Sequence, residues 1–366
     1  MADDRALVEP DVIGLDWGTS SCRAYLLGDQ GVILGDACGP AGLLAVSGGG
    51  TGDPTAFDQA FEQLCGGWLD MWPELPVIAC GMVGSRRGWI EAPYREVPAD
   101  LADPALACAR LRTRRGTEVN VIPGLVDLRG LRGVMRGEET QLLGLLDAGL
   151  GAGGHDDVVL PGTHSKWARI RGSVVTGFTT YLTGELYGLL TRHSILTDFI
   201  RPAPRPQWAA FDRGVDIAAE AVMAGTGLLA VLFSARTLPL TGAMAQTDVA
   251  DYLSGLVIGT ELASVRTTWA DGSGGQLWSV ADSALSVRYR RAALRLGWRA
   301  VHAVEHAAAR GLWRTARMTG LIEGSRRRTG PEEDRAVPEE DKVPVRPDDL
   351  SSRPDGLDRD PARPGP

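Results

Sequence analysis

The chain has 366 residues, 44 % of them hydrophobic, with 38 basic against 46 acidic side chains and a net charge of −8. Two or three domains fit that length at roughly 100–200 residues each, and the apolar content excludes disorder for most of it. The acidic balance argues against nucleic acid or an anionic membrane surface as the default partner, and no apolar run reaches the roughly 20 residues of a spanning helix. The most apolar stretch, Gly227 to Ala235, reads as a core helix segment, and Met1 to Pro10 lacks the apolar centre of a signal peptide. Five cysteines (Cys22, Cys38, Cys65, Cys80, Cys108), odd in number and without C-x-x-C, point to a reducing cytoplasm rather than a disulfide framework. Only two of the 38 basic residues are lysines, Lys166 and Lys342, so each lysine is a conspicuous choice.

In chain order, Val12 to Leu15 is an apolar run ending at Asp16. After a Gly/Thr/Ser turn, Arg23 to Leu27 reads as a second strand, Gly28-Asp29-Gln30-Gly31 as a hairpin turn and Val32 to Leu34 as a third strand. Phe57, Phe61, Leu64, Trp68 and Met71 recur at helical spacing. Val77 to Ala79 and Val119 to Ile122 read as buried strands, Thr140 to Ala148 as a helix, and Val158 to Leu160 and Trp167 to Ile170 as strands around another turn. Helical patterns follow at 184–193, 212–235, 248–268, 283–296 and 303–318. The order is that of an α/β protein. From Glu323 to Pro366 there are eight prolines, 21 charged residues and no aromatic, so a disordered tail is expected from residue 321 on.

One turn occurs twice. Asp16-Trp17-Gly18-Thr19-Ser20-Ser21 leads into Cys22-Arg23-Ala24, and Pro161-Gly162-Thr163-His164-Ser165-Lys166 leads into Trp167-Ala168. Gly18, Thr19, Ser21 and Ala24 recur as Gly162, Thr163, Ser165 and Ala168, each 144 residues later, which points to two related lobes. Glycine lets backbone N–H groups approach an anion, and Thr and Ser add donors, so the chemistry of such a turn is phosphate binding. Asp16, at a strand end, suits a hydrated Mg²⁺. The turn is not a Walker loop, because G-x-x-x-x-G-K-[ST] is absent and a strand follows. Between the turns, Arg136-Gly137-Glu138-Glu139-Thr140-Gln141 opens an apolar helix. Acids there complement the helix dipole, or serve as general base for phosphoryl transfer to an alcohol; spacing alone leaves both open.

These segments together resemble the 2-keto-3-deoxygalactonate kinase (2-dehydro-3-deoxygalactonokinase) family of the actin/hexokinase/Hsp70 ATPase superfamily. The likeness runs in order from about residue 12 to 318. It also includes Gly81-Met82-Val83-Gly84-Ser85 with Gly88-Trp89, Ala92-Pro93-Tyr94, Ile122-Pro123-Gly124-Leu125, Met135 before Arg136, and Thr183-Gly184-Glu185-Leu186. The resemblance implies a two-lobed actin-like, ribonuclease H-like α/β fold with a cleft between lobes. The lobes would span residues 10–151 and 155–320, followed by the tail. It implies phosphorylation of a 2-keto-3-deoxy sugar acid at its 6-hydroxyl by Mg-ATP. Asp16 would organise Mg²⁺. Gly18, Thr19, Ser20, Ser21 and Arg23 would meet the nucleotide from one lobe, and Gly162, Thr163, His164, Lys166, Thr183 and Gly184 from the other. Glu138 aligns best with the catalytic base, and Glu139 is the next candidate. Ala281-Asp282 marks the adenosine loop, where Ala281 stands in place of the family's usual Gly.

The implied substrate carries a carboxylate, so a guanidinium clamp is expected from Arg86, Arg87 or Arg136, with Met82, Val83, Gly84, Ser85 and Trp89 around it. Trp17 and Trp89 each adjoin a motif glycine and are candidates to line the cleft. His302 and His306, four apart on the expected helix, read as solvent-facing. The alternatives are a kinase of another keto-deoxy acid or an aldose, and a non-catalytic sugar-binding regulator.

Overall fold

In the computed structural model, residues 9–39, 42–47, 53–269, 276–280 and 284–323 are described. The first sheet is built from β1 (Val12–Trp17), β2 (Cys22–Leu27), β3 (Ile33–Gly39), β4 (Val77–Gly81), β7 (Ala109–Arg112) and β8 (Glu118–Val121). Its order is β3-β2-β1-β4-β8-β7, with β1/β2 and β2/β3 antiparallel and β1/β4 and β4/β8 parallel. The second contains β6 (Ala99–Asp100), β11 (His155–Leu160), β12 (Ser165–Arg171), β13 (Val174–Tyr181), β14 (Gln276–Val280) and β15 (Ala300–Val304), in the order β15-β14-β11-β12-β13-β6. Here β11/β12 and β12/β13 are antiparallel and β11/β14 and β14/β15 parallel. The two five-strand cores therefore share one topology, and the duplicated turns join equivalent strands, β1 to β2 and β11 to β12. This is the expected two-lobed actin-like fold. A small sheet of β5 (Tyr94–Glu96), β9 (Gly124–Asp127) and β10 (Gly133–Met135) lies beside them in the chain.

The helices are α1 (Leu43–Ser47), α2 (Pro54–Met71), α3 (Glu138–Leu145), α4 (Thr183–Arg192), α5 (Trp208–Met223), α6 (Gly227–Leu232), α7 (Ser234–Leu240), α8 (Val249–Thr268), α9 (Ala284–Arg295) and α10 (Ala307–Met318). Helix α2 starts where Asp53 accepts from the Thr55 amide at 2.9 Å with Pro54 behind it, and it buries Phe57 and Phe61 against the first sheet. Helix α10 covers that sheet's other face through Ala309, Leu312 and Trp313. The second sheet lies between α3, through Leu142, Leu143 and Leu145, and the layer of α5, α8 and α9.

Helices α3 and α10 meet directly. A Cβ on Gly311 would lie 1.8 Å from the Thr140 carbonyl oxygen, and one on Gly144 would lie 2.0 Å from that of Ala307. Only glycine permits this approach, which ties the start of α3 to the last helix. The 3-10 turn Leu146–Ala148 ends α3 three residues before the expected limit.

Several expectations are corrected. The 212–235 pattern falls on three helices, α5, α6 and the start of α7, with the first break where Gly225 and Gly227 take positive φ of 69° and 72°. Residues 303–304 belong to a strand, so His302 and His306 do not share a helix; His302 stacks on Trp278 with ring centroids 4.6 Å apart. Trp17 and Trp89 do not line the cleft, because they pack with Phe57 in the first lobe's core. Ile322 is buried beside Trp313, so packing continues past residue 321; the tail expected beyond 323 lies outside the described residues. No helix among the described residues is long and apolar enough to cross a membrane.

Gly311→Ala forces a methyl against the α3 backbone. It is expected to destabilise the fold by about 1–3 kcal/mol, the usual cost of overpacking, read from the urea midpoint at unchanged m-value.

Candidate active site

The first turn hangs from β1, which is buried along nearly its whole length. Asp16, near its end, pairs in register with Arg23, and the Gly18 amide closes the turn on the Ser21 carbonyl at 2.9 Å. Thr19, Ser20 and Ser21 are exposed. Behind Asp16, the Cys80 thiol lies 3.8 Å from its Oδ1; burial above all, then the Asp16 and Glu139 charges, push that thiol up, so it stays protonated.

The second turn presents Thr163 and His164 to solvent. It is docked on the start of α4: the Glu185 amide donates to the Thr163 carbonyl at 2.9 Å, and His164 Nε2 lies 2.5 Å from Glu185 Oε2. Lys166 turns inward, with its side chain only 7 % exposed. Its Nζ donates to the His164 carbonyl at 3.0 Å and pairs with Glu138 Oε1 at 3.1 Å. The pair joins the second turn to the first residue of α3. A cleft of about 250 Å³ is lined by Asp16, Gly18, Ser21 and Arg23 from the first lobe, Gln141 from α3 and Pro161 from the second turn.

The start of α3 is unusual. Gly137 has φ 105° and Gly81 has φ 88°, and a Cβ on Gly137 would lie 3.1 Å from the Gly81 Cα, so the end of β4 and the start of α3 nearly touch. Glu138 Oε2 accepts from the Arg136 amide at 2.9 Å, and Glu139 accepts from the Gly137 amide at 2.7 and 2.9 Å. Both acids thus reach back to donors that the helix leaves free. They differ in surroundings. Glu138 is a quarter exposed and faces Lys166, whereas Glu139 is 4 % exposed. Burial first, and the Glu138 carboxylate second, push Glu139 up to about 8 against the pull of backbone amides and the Thr140 hydroxyl.

Arg136 is 8 % exposed. One nitrogen donates to the Ala92 carbonyl at 2.8 Å, and the guanidinium lies 4.2 Å from the Tyr94 ring centroid. Its Nε and Nη1 are buried without a hydrogen-bond partner, and so is the Ser85 hydroxyl. Arg136 is packed against Gly84, since a Cβ there would meet Nη1 at 2.8 Å.

Other expected residues fare differently. Arg86 is almost wholly exposed and pairs with Glu91 at 3.6 Å. Val83 is buried, and Met82 and Trp89, half-buried, pack on the same core. The Thr183 hydroxyl is committed to Glu261, and Gly184 packs on the Gly162 carbonyl. Ala281 and Asp282 lie outside the described residues; Val280 and Ser286, on either side, line the cleft. Sequence reasoning missed Gln141, Tyr25 and Cys80 beside the cleft, and Glu261 behind the second turn. Glu261 left a signal, an acid on the apolar face that carries Val257, Ile258 and Val265.

Comparison with known proteins agrees with this geometry. The family model for 2-keto-3-deoxy-galactonokinase matches residues 16–315. The chain belongs to that family. A Rhizobium meliloti (strain 1021) protein named probable 2-dehydro-3-deoxygalactonokinase is 37 % identical over 313 residues, 82 % of this chain and 96 % of that one. The 2-dehydro-3-deoxygalactonokinase of Escherichia coli (strain K12) is 33 % identical over 297 residues, 78 % and 90 %. A crystal structure from Sinorhizobium meliloti, described under the same activity, superposes with a TM-score of 0.70 at 35 % identity, covering 84 % of this chain and 98 % of that one.

Glu139 gives a pH test. With its carboxyl held up to about 8 in the fold and at about 4.3 when unfolded, the folded state binds the extra proton between those values. Stability from this group therefore falls as pH climbs through that window. Glu139→Gln is neutral throughout. Its melting temperature should gain on the parent from pH 5 to pH 8; a difference flat with pH rejects the reading.

Proposed function

We propose that this member of the family transfers the γ-phosphoryl group of Mg-ATP to the 6-hydroxyl of 2-dehydro-3-deoxy-D-galactonate, giving the 6-phosphate and ADP, in the cytoplasm. The observation that carries it is the 3.1 Å contact between Glu138 and Lys166, beside a cleft that both turns line. The names of the relatives and the five free thiols support the substrate and the compartment.

Each residue has a role in this reading. Glu138 faces the second turn and takes the proton of the sugar hydroxyl, while Glu139, enclosed and neutral near pH 7, holds the Gly137 amide. Lys166 and the backbone of Gly162, Thr163 and His164 meet the outer phosphates from one side; Gly18, Thr19, Ser20 and Ser21 meet them from the other. Arg23 reaches the same cleft. Mg²⁺ fits, because it binds through one or two carboxylates together with phosphates and water, and Asp16 offers a carboxylate at the cleft, its Cys80 neighbour being a protonated thiol. When bound, the ion offsets charge on the transferring phosphoryl group. Arg136 grips the sugar-acid carboxylate: two of its nitrogens and the adjacent Ser85 hydroxyl are donors without acceptors. That choice favours an acid over a plain aldose.

The test is ADP release from Mg-ATP with 2-keto-3-deoxygalactonate, its gluco epimer, plain aldoses and a no-sugar control. Release with the galacto acid alone is expected. Release with an aldose in preference replaces the substrate, and no release with any acceptor from folded protein rejects the reading. Glu138→Gln should lower kcat by about 10²-fold or more with sugar binding by calorimetry little changed. Near-parental turnover moves the base elsewhere.

A further inference from the structure

Glu261, on α8, is a carboxylate that the chemistry above leaves unused, and it is 2 % exposed. Four side chains from three other elements converge on it. From β12, Ser165 Oγ donates to Oε2 at 2.8 Å and Trp167 Nε1 to Oε1 at 2.6 Å. From α9, the Tyr289 hydroxyl donates to Oε2 at 2.7 Å, and the Thr183 hydroxyl at the start of α4 donates to the same oxygen. All four donors are neutral. A carboxylate offers about four acceptor sites, and four donors meet it, three on Oε2 and one on Oε1. Burial pushes the Glu261 carboxyl up, and the four donors pull it down.

The placement of the donors decides what the cluster does. Side chains alternate along a strand. With Ser165 and Trp167 both drawn to Glu261, the residue between them must face the other way. That residue is Lys166, and its Nζ reaches Glu138. Thr183 fixes the start of α4, the segment on which Thr163 and His164 are docked. The turn is therefore gripped on both sides by contacts that converge on one carboxylate. Helix α8 is a firm anchor, since its Gly255 is so close to α5 that a Cβ there would lie 2.1 Å from the Phe211 carbonyl oxygen.

We infer that Glu261 is a positioning residue for phosphoryl transfer: through Ser165, Trp167 and Thr183 it sets the shape of the second phosphate turn and directs Lys166 into the cleft. The inference rests on the kinase reading above. A buried carboxylate serving only to fill the core changes stability without distinguishing nucleotide from sugar, so the two roles separate by measurement.

The experiment compares the parent chain with Glu261→Gln, Ser165→Ala, Lys166→Met and the double variants with Lys166→Met. Gln keeps the shape but turns half of the acceptor into a donor, and Ser165→Ala deletes one donor with little loss of packing. Turnover is measured against ATP and sugar separately, and Mg-ATP affinity by calorimetry, which needs no turnover. The parent's turnover decides the kinase reading, and the variant-to-parent ratios decide Glu261. Glu261→Gln is expected to weaken Mg-ATP binding or lower kcat by about 10–100-fold, the scale of a misplaced contact group, with sugar affinity unchanged. The effects of Glu261→Gln and Lys166→Met should fall well short of additive, because one acts through the other. Should Glu261→Gln not fold, Ser165→Ala carries the same test with the same signs and a smaller effect. Folded variants with parental kcat and nucleotide affinity, equal losses for both substrates, or full additivity with Lys166→Met would each overturn the inference.

Discussion

Everything at the cleft depends on how closely α3 and α10 approach. No side chain fits between Gly311 and the Thr140 carbonyl, or between Gly144 and that of Ala307. The two helices meet through backbone and cannot slide without a clash. Their other faces belong to different lobes: α10 is buried on the first sheet with Leu312 and Trp313, and α3 on the second with Leu142 and Leu145. A contact this tight between elements from opposite sheets gives the first turn of α3 a fixed place between the two duplicated turns. The second glycine contact, Gly137 against Gly81, sets that turn's distance from β4. Glu138 inherits its position from both.

The same helix start shows how environment separates adjacent acids. Glu138 and Glu139 each cap a backbone amide, so the dipole reading of that pair is correct as far as it goes. It does not tell them apart. Helical geometry turns consecutive side chains about 100° from one another, and here one meets the Lys166 ammonium while the other meets Cys80, Thr140 and apolar walls. Capping accounts for the backbone of the acidic pair and leaves the two side chains in different surroundings. Lys166 in a chain dominated by arginine makes sense in this setting: a compact ammonium fits a nearly closed site where a planar fork would need more room.

Local chemistry made much of this readable in advance. The turns carried Gly, Thr and Ser at fixed offsets from Asp16 and Leu160, and the strands beside them were short apolar runs, so the duplicated hairpins could be drawn from residues 12–34 and 158–170. What was lost depended on distant partners. The β15 strand has only Val304 fully buried, and it earns its place by pairing with β14. The two-residue β6 exists because Ala99 and Asp100 pair with β13, from the other half of the chain. Trp17 and Trp89 adjoin motif glycines yet face inward, since a glycine marks where backbone must approach closely and says nothing of its neighbour's direction. Arg136 shows the same limit: the substrate that the resemblance implies put it among three candidate arginines, and only packing distinguished a guanidinium stacked on Tyr94 from Arg86 in solvent.

Duplication of the fold repeats one means of support and adds a second to one copy. In the first lobe the turn is held by backbone: the Gly18 amide to Ser21, the Leu43 amide to the Gly18 carbonyl at 3.1 Å, and Gly42 pressed against Ser20 and Ser21 so closely that a Cβ would fall 2.2 Å from the Ser20 carbonyl carbon. In the second lobe the same backbone clamp recurs, the Glu185 amide donating to the Thr163 carbonyl at 2.9 Å and Gly184 so close that a Cβ would fall 2.4 Å from the Gly162 carbonyl oxygen, and side chains gathered on Glu261 are added to it. In the first turn the side chains of Thr19, Ser20 and Ser21 are exposed, and Ser21 lines the cleft. The side-chain clamp uses up Ser165 and Thr183 and turns the intervening Lys166 toward Glu138. The two halves therefore differ in what lies beside the turn, since a buried ammonium paired with Glu138 belongs to the second, although the strands that carry the turns follow the same plan.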